Sequence, residues 1–234
     1  MTGWGFGDSN SYIGRVSAIS LIKALDLFAD LDEHDLQLLV DASHNRTLSR
    51  GDVLFSEGDV ANCLYVVDRG RIAISNKSVD GRESVFALMH HGDLFGEMSL
   101  FDNLGRSAQA RALELSVVVE VSYTALQQLW TDRPELLWRV IEMLTRRLRS
   151  MDEALADSFF LDVTARTAKQ LLEIAGERDE FELPITQEEL AGIVGASRER
   201  VNKAIASFVR LGWLEQRDRT YRIVKRRELE IRSS

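Results

Sequence analysis

The residues most able to do chemistry lie between positions 96 and 107, in the stretch GEMSLFDNLGRS. Gly96 and Glu97 begin it, and Arg106 and Ser107 end it. An arginine beside a serine and a glycine-containing turn can bind an anion through its guanidinium and through backbone amides, and a glutamate can accept a hydrogen bond from a hydroxyl group. The alternative is a buried ion pair between Glu97 and Arg106, although desolvation offsets much of the attraction within such a pair. The stretch is therefore a candidate site for an anion that also carries a hydroxyl group.

A second candidate site begins at Thr186, with TQEELAGIVGASRERVNKAIASFVRLGWLE. Thr186 and Glu189 form a capping box, which predicts a helix that ends near Gly195, and Ser197 can cap a second helix. Two helices joined by about four residues that include a glycine predict a helix-turn-helix. The alternation in WLEQRDRTYRIV predicts a hairpin wing directly after it.

The second of these helices carries polar groups that can contact DNA. Arg198 and Glu199 lie in its first turn, and Lys203 lies one turn beyond Glu199 on the same face. Arginine matches guanine O6 and N7, and a carboxylate can accept from cytosine N4, so this pair can read a G·C step in the major groove. Ser197, Arg200 and Lys203 are candidate phosphate contacts, which fix position without reading sequence. The alternative for Glu199 and Lys203 is a surface ion pair worth about 0.3 to 0.5 kcal/mol.

Charge is distributed unevenly along the 234 residues. The net charge is -8, but residues 196–234 carry eleven Lys and Arg against five Asp and Glu, a net +6, which leaves -14 for the rest. A basic C-terminal module on an acidic body is typical of a protein in which one domain contacts the phosphates of double-stranded DNA. A solvated basic tail is the alternative explanation of the same charge.

Several other classes of protein fit the sequence poorly. No run approaches the roughly 18 to 20 apolar residues of a membrane span, and the N-terminus lacks the order of a secretory signal, so we expect a cytoplasmic protein without a membrane partner. A lone cysteine, Cys63, is most simply a core residue, and four histidines add little material for a metal site, so we expect no metal. A metal-dependent hydrolase built on His90, His91, Asp93 and Glu97 is the enzymatic alternative. We expect no enzyme, because no nucleophile and base accompany that cluster.

The elements around the first site change their hydrophobic period along the chain. Residues 21–43, LIKALDLFADLDEHDLQLLVDAS, predict one or two short amphipathic helices. From about Arg46 to Ser122 the apolar runs are short, β-like and punctuated by glycines, with Asp80–Gly81 as a tight hairpin turn. Strands this short leave no room for crossover helices and predict a small barrel or sandwich.

A long helix is predicted from Pro134 through about Ser158, because proline is tolerated in a first helical turn. Its apolar residues recur at alternating spacings of four and three, which predicts a parallel dimer seam. Packing of the same residues against the protein's own barrel is the alternative. The seam residues are Leu137, Ile141, Leu144, Leu148, Met151 and Leu155. Asp162 can then cap a further helix that reaches Gly176, so residues 160–162 are the expected hinge.

The order of these features resembles a known family. A β domain with FGEMSLFDNLGRSAQARA, a long helix, FLDVT and GASRERVNKAI are similar to the bacterial catabolite activator protein family, the cyclic-AMP receptor regulators that include the FNR-like branch. The similarity extends over about residues 25–225. It implies an α+β fold, with a cyclic-nucleotide-binding β-roll (a jelly-roll-like barrel), a long dimerisation helix and a C-terminal winged helix-turn-helix. The expected domains are an arm at 1–20, the nucleotide-binding domain at 21–132, the dimerisation helix and hinge at 133–160, and the DNA-binding domain at 161–234.

The resemblance also implies a ligand for the first site. Glu97 would accept a hydrogen bond from the ribose 2′-hydroxyl, and Arg106 and Ser107 would hold the cyclic phosphate, helped by backbone amides near Gly96 and Met98. The family's recognition-helix contacts fall on Arg198, Glu199 and Lys203. The other ligand contacts expected by similarity are Phe86, Ala87, Arg147, Met151 and Asp152.

The chain departs from the family where the nucleotide base would lie. Cyclic-AMP-responsive members have a threonine followed by serine or asparagine at the positions of Met151 and Asp152, and methionine cannot replace the threonine. Asp152 can accept from adenine N6, but a carboxylate suits the two parallel donors of guanine at least as well. We therefore expect cAMP as the first choice of effector and cGMP as its competitor. A regulator of the same build with a different effector, or with none, is the alternative.

The expected function is that of a homodimeric transcription regulator. When the nucleotide is bound, the protein would bind palindromic promoter DNA with TGT-type half-sites. RNA polymerase is the expected further partner.

Overall fold

A computed structural model describes residues 19–77 and 83–234, apart from the side chains of Lys77 and Glu83. The predicted hairpin turn at Asp80–Gly81 and nearly all of the N-terminal arm lie outside these residues. The chain divides into two compact units. Among the described residues, the first comprises those up to Ile74 together with Leu88–Arg146, and the second comprises those of Ser75–Ala87 together with Arg147–Ser234.

Short helices precede the first strand, as the spacing of residues 21–43 predicts. Residues 19–23 are helical, a 3₁₀ turn follows at Asp26–Phe28, and helix α1 spans Glu33–Asp41. The carboxylate of Asp32 caps α1 by accepting a hydrogen bond from the N–H of Asp35 at 2.9 Å. The apolar residues of this segment that join the core of the first unit include Leu21, Ile22, Leu27, Phe28, Leu36 and Leu39.

The strands between residues 43 and 122 form two four-stranded sheets. They are β1 (Ser43–Leu48), β2 (Val53–Phe55), β3 (Cys63–Arg69), β4 (Ile72–Lys77), β5 (Glu83–Met89), β6 (Leu94–Phe95), β7 (Gln109–Ala112) and β8 (Ser116–Ser122). One sheet has the order β1-β8-β3-β6 and the other β2-β7-β4-β5. Strand β8 pairs antiparallel with both β1 and β3. The predicted α+β fold with a small barrel or sandwich is confirmed.

Two helices flank the candidate ligand site in the first unit. Helix α2 spans Met98–Asp102 and helix α3 spans Tyr123–Asp132. Val119 and Val121 of β8 belong to the same buried core as Leu126 and Leu129 of α3. This core anchors the strand and the helix that meet at Tyr123.

The long helix follows a 3₁₀ turn at Pro134–Leu136 and spans Leu137–Phe160, here α4. Val140 and Met143 of its first half pack onto the core of the first unit, as does Leu136 of the preceding turn. The predicted seam residues are a different set, and between 38% and 69% of the surface of each is exposed in the single chain. These exposures favour the predicted dimer seam, which stays a prediction. Among the described residues, no helix is long and apolar enough to span a membrane.

The C-terminal part of the second unit contains the predicted helix-turn-helix and wing. Its elements are α5 (Val163–Ala175), β9 (Glu180–Glu182), α6 (Gln187–Val194), α7 (Arg198–Arg210), β10 (Leu214–Arg217), β11 (Thr220–Ile223) and α8 (Arg226–Arg232). The strands form one antiparallel sheet in the order β10-β11-β9. Strand β9 and helix α8 were not predicted.

The helix ends in this part agree with their predicted caps. The side chain of Thr186 accepts from the N–H of Glu189 at 3.1 Å, and the carboxylate of Glu189 accepts from the N–H of Thr186 at 2.7 Å. Gly195 ends α6 with a φ of +68°. Asp162 caps α5, since its carboxylate accepts from the N–H of Ala165 at 2.8 Å. The capping box and the caps of α5 and α6 are confirmed.

Candidate ligand-binding site and nucleic-acid interface

The two ends of the first candidate site are brought together by a turn after β6. Gly96 has a φ of +76°, a conformation that side chains disfavour. A Cβ atom added there would lie 2.6 Å from Nη1 of Arg106, so the residue must also be small to admit the guanidinium. Residues ten positions apart in the sequence thus touch, as the sequence predicts for a single site.

Arg106 is buried, with 4% of its surface exposed. Its Nη1 donates to the carbonyl oxygen of Gly96 at 2.6 Å and to the hydroxyl of Tyr123 at 3.2 Å. Its Nη2 donates to the carbonyl oxygen of Cys63 at 2.7 Å. These acceptors are neutral, so they orient the guanidinium without cancelling its charge.

One donor of this guanidinium is left over. Nε of Arg106 is buried and has no hydrogen-bond partner. An unmade hydrogen bond of this kind costs about 1 to 3 kcal/mol, and more for a charged group. A bound anion would remove that cost, so the arginine fits a ligand that carries a negative charge.

Aromatic rings enclose the same guanidinium. Its central carbon lies 4.3 Å from the centre of the Phe55 ring and 5.2 Å from that of Tyr65. Tyr65 also stacks on Phe55 and on Phe95, with ring centres 5.6 and 5.4 Å apart, and Phe55 and Phe95 are tilted to each other at 6.2 Å. Cation–π contacts of this kind hold a guanidinium in place and leave its edge for hydrogen bonds.

The remaining residues of the stretch differ in exposure. Glu97 is buried, with 2% of its surface exposed, at the start of α2. Met98 and Ser107 are exposed, and the hydroxyl of Ser107 contacts the sulfur of Met98 at 3.4 Å. The first unit therefore presents a buried acid, a buried cation and an exposed hydroxyl close together in the chain.

The structure does not test the other predicted ligand contacts. Phe86 and Ala87 lie on β5, and Arg147, Met151 and Asp152 lie on α4, all within the second unit. Phe86 and Met151 are exposed. These five residues stay predictions.

The second candidate site lies on α7. Ser197 caps this helix, since its hydroxyl accepts from the N–H of Arg200 at 3.4 Å. One face of α7 is buried through Val201, Ala204, Ile205 and Phe208. The predicted DNA contacts all lie on exposed positions: Ser197, Arg198, Glu199, Arg200 and Lys203. Residues 197–234 are all described, and the ion pairs there are those of Arg219, Arg222, Arg226 and Arg232, so Glu199 and Lys203 are not paired with each other.

A cleft of about 600 Å³ beside α7 adds residues that sequence reasoning missed. It lies between the start of α5 and the face of α7 that carries Arg200, Lys203, Ser207 and Arg210. Their spacing of three and four residues was visible in the sequence and could have identified Arg210 as a further cation on this face. The acid at the rim, Asp162, is paired with Arg232 of α8 at 2.6 Å. The backbone N–H of Ala165, which Asp162 caps, lowers the pKa of Asp162 most, and Arg232 lowers it further.

The cluster proposed for a hydrolase is occupied by other contacts. The backbone N–H of His90 donates to the carboxylate of Asp93 at 2.7 Å, and Nδ1 of His91 lies 2.6 Å from the carbonyl oxygen of Asp68. In the described parts of the chain, no three His, Cys, Asp or Glu side chains are grouped to hold a metal ion.

Family models match the parts of the chain that carry the two candidate sites. Residues 45–133 match the model of the cyclic nucleotide-binding domain, and residues 165–232 match that of the Crp-like helix-turn-helix domain. The first match contains the stretch from Gly96 to Ser107, and the second contains α7.

The chain is also similar to individual proteins and solved structures. A CRP-like cAMP-activated global transcriptional regulator of Mycobacterium tuberculosis is 40% identical over 172 residues, which are 70% of this chain and 77% of that protein. The structure of CLP, a c-di-GMP responsive global regulator of Xanthomonas campestris, is 28% identical with a TM-score of 0.70, over 82% of this chain and 99% of that chain. FixK2 from Bradyrhizobium japonicum shares the fold at 19% identity and a TM-score of 0.75, over 82% and 98% of the two chains. The chain belongs to the CRP/FNR family of transcription regulators, with a cyclic nucleotide-binding domain followed by a DNA-binding helix-turn-helix.

Proposed function

We propose that the protein is a homodimeric regulator that binds palindromic promoter DNA when cAMP occupies its β-roll. The observation that carries the proposal is Arg106, a buried arginine with neutral acceptors and one unpaired Nε. The phosphodiester of a cyclic nucleotide is a permanent monoanion, and a guanidinium is its strongest side-chain partner. The M. tuberculosis relative, which is named as cAMP-activated, supports the choice of nucleotide.

Each residue of the site has a proposed role. Arg106 and Ser107 hold the cyclic phosphate, with backbone amides near Gly96 and Met98 as further donors. Glu97 accepts a hydrogen bond from the ribose 2′-hydroxyl.

The base is the least specified part of the ligand. Met151 offers no hydrogen bond of the kind a threonine would make, and Asp152 offers an acceptor that suits guanine as well as adenine. cGMP is therefore the second candidate effector. The relative CLP is c-di-GMP responsive, which favours a test of c-di-GMP as well.

The proposed DNA complex follows from α7. In a two-fold dimer, two such helices enter successive major grooves about 34 Å apart. Arg198 and Glu199 read a G·C step of a TGT-type half-site, and the cations of α7 contact phosphates. In this scheme residues 21–132 bind the nucleotide, 133–160 dimerise and 161–234 bind DNA. The dimer would then contact RNA polymerase in the cytoplasm.

The nucleotide acts by shifting a population of conformations. It can change DNA affinity only by its differential affinity for the two states. A typical coupling free energy of 1 to 3 kcal/mol corresponds to a change of about 5- to 150-fold in DNA affinity.

Calorimetric titration with cAMP, cGMP and c-di-GMP tests the effector. We expect cAMP to bind most tightly and Arg106→Leu to abolish its binding. Arg69→Leu is the matched control, because the side chain of Arg69 is 77% exposed on the same unit. If Arg106→Leu lost cAMP binding but kept cAMP-stimulated DNA binding, the proposal would be wrong.

Selection of duplexes from a random DNA pool tests the regulator itself. The selection is run without ligand, with cAMP and with cGMP. We expect palindromes with TGT-type half-sites, enriched only when the nucleotide is present. Equal enrichment in all three pools would favour a regulator without a nucleotide effector.

A further inference from the structure

Tyr123 connects the two ends of the ligand-binding stretch. It begins α3 and is buried, with 7% of its surface exposed. Its hydroxyl donates a hydrogen bond to the carbonyl oxygen of Gly96 and accepts one from Nη1 of Arg106 at 3.2 Å. The same carbonyl oxygen accepts from Nη1 of Arg106 at 2.6 Å. Tyrosine, arginine and turn thus form a closed triangle of hydrogen bonds.

The direction of these bonds follows from the charge of the phenol. Burial raises the pKa of Tyr123 above its usual value, although the positive charge of Arg106 opposes this. The phenol is therefore neutral near pH 7 and has one proton to donate. Arginine cannot accept a hydrogen bond, so that proton goes to the carbonyl of Gly96, and a lone pair of the hydroxyl receives Nη1.

The triangle restricts the guanidinium within its plane. The rings of Phe55 and Tyr65 restrict it across its faces, at 4.3 and 5.2 Å from its central carbon. Nη2 is held at the carbonyl of Cys63. What remains without a protein partner is Nε.

We infer that Tyr123 is a positioning residue for the anion site, whose hydroxyl fixes Arg106 so that the Nε edge of the guanidinium meets the cyclic phosphate. The inference rests on the proposed nucleotide function. It adds a residue that touches no ligand atom and acts through Arg106.

A fixed guanidinium has a measurable consequence. The two exocyclic oxygens of a cyclic phosphate are geometrically inequivalent, so a rigid donor distinguishes the two phosphorothioate diastereomers of cAMP, in which sulfur replaces one oxygen or the other. A guanidinium that can rotate distinguishes them less. The ratio of the two affinities therefore reports orientation, which a loss of general stability would not change.

The test is Tyr123→Phe in the full chain, titrated with cAMP and with each phosphorothioate. We expect cAMP affinity to fall about tenfold, the effect of losing one hydrogen bond to a charged group. The ratio between the diastereomers should fall at least threefold toward one.

Tyr221→Phe is the matched control. Tyr221 is also a buried tyrosine, with 1% of its surface exposed, but it lies on β11 in the second unit. The hydroxyl that contacts Arg106 is that of Tyr123, so Tyr221→Phe should keep the wild-type ratio. An equal fall of the ratio in both variants, or an unchanged ratio in Tyr123→Phe, would overturn the inference.

A double-mutant cycle with Arg106→Lys gives a second, independent readout. If Tyr123 acts through Arg106, Tyr123→Phe should cause little further loss of cAMP affinity in the lysine background, and independent losses would overturn the inference. A wild-type protein that bound no cyclic nucleotide would refute the proposed function together with the inference. Normal wild-type binding with additive losses would refute the inference alone.

Discussion

Truncation of one seam residue should weaken the dimer without unfolding the protomer. Leu148 lies on α4 and has 59% of its surface exposed in the single chain. Fully burying a leucine contributes roughly 1.5 to 3 kcal/mol, so covering the exposed part contributes roughly 1 to 2 kcal/mol per copy. A two-fold dimer contains the residue twice. Leu148→Ala should therefore cost roughly 2 to 4 kcal/mol, a rise of about 30- to 850-fold in the dissociation constant of the dimer.

Sedimentation equilibrium over a dilution series measures that constant. Arg149→Ala is the matched control, because Arg149 is exposed on the same helix but lies off the seam. The unfolding temperature of the dilute protomer should change little in either variant, because Leu148 is not part of the buried core. An unchanged dissociation constant in Leu148→Ala, or an equal rise in the control, would refute the assignment of the seam.

Further substitutions test the cap, the turn and the DNA-binding face. Asp162→Ala should lower the free energy of unfolding at pH 7 by about 1 kcal/mol, measured in urea, whereas Asp162→Asn keeps the cap. The backbone N–H of Ala165 and, after it, Arg232 lower the pKa of Asp162. The contribution of Asp162 to stability is therefore present above the ordinary carboxyl pKa and should be lost as the pH falls through the lowered pKa. Gly96→Ala should abolish cAMP binding in calorimetry, since the new Cβ would lie 2.6 Å from a guanidinium nitrogen. Gly176 also has a positive φ, but nothing lies within 4 Å of a Cβ added there. Gly176→Ala should therefore cost only backbone strain and leave cAMP binding intact. In fluorescence anisotropy, Arg198→Ala should cost about 1 to 3 kcal/mol on the selected site and relax its specificity, and Arg210→Ala should weaken all duplexes alike and reduce the salt slope by about 1.

The features that could be predicted to the residue are those whose partners lie close in the sequence. Thr186 and Glu189 are three residues apart, and so are Asp162 and Ala165, and both pairs make the hydrogen bonds of their motifs. Cap motifs are local, so no knowledge of the rest of the fold is needed to recognise them.

The elements that were missed depend on distant partners. Strand β9 contains one buried apolar residue, Phe181, and it exists because it pairs with β11, some forty residues further along the chain. Helix α8 is mostly charged, and only Leu229 is buried. A three-residue strand and a charged seven-residue helix carry too weak a periodic signal to stand out from a loop.

The candidate site divides in the same way. That Gly96 and Arg106 belong to one site was predicted, because both lie in one short stretch. The acceptors that orient Arg106 were not, since the carbonyl of Cys63 is 43 residues away and the hydroxyl of Tyr123 is 17 residues away. A buried tyrosine needs a hydrogen-bond partner, but its sequence position does not say which one.

Helix α4 shows how two apolar stripes on one element divide its tasks. Val140 is 3% exposed in the core of the first unit, while the seam residue Ile141, one position later, is 50% exposed. Because successive residues on a helix are about 100° apart, a shift of one residue turns the second stripe away from the core, so both stripes can be satisfied at once. Arg139 adds a hydrogen bond to Asp30 at 2.6 Å that ties the same half of the helix to the N-terminal segment. The first half of α4 is therefore held by its own chain, and its seam face remains exposed.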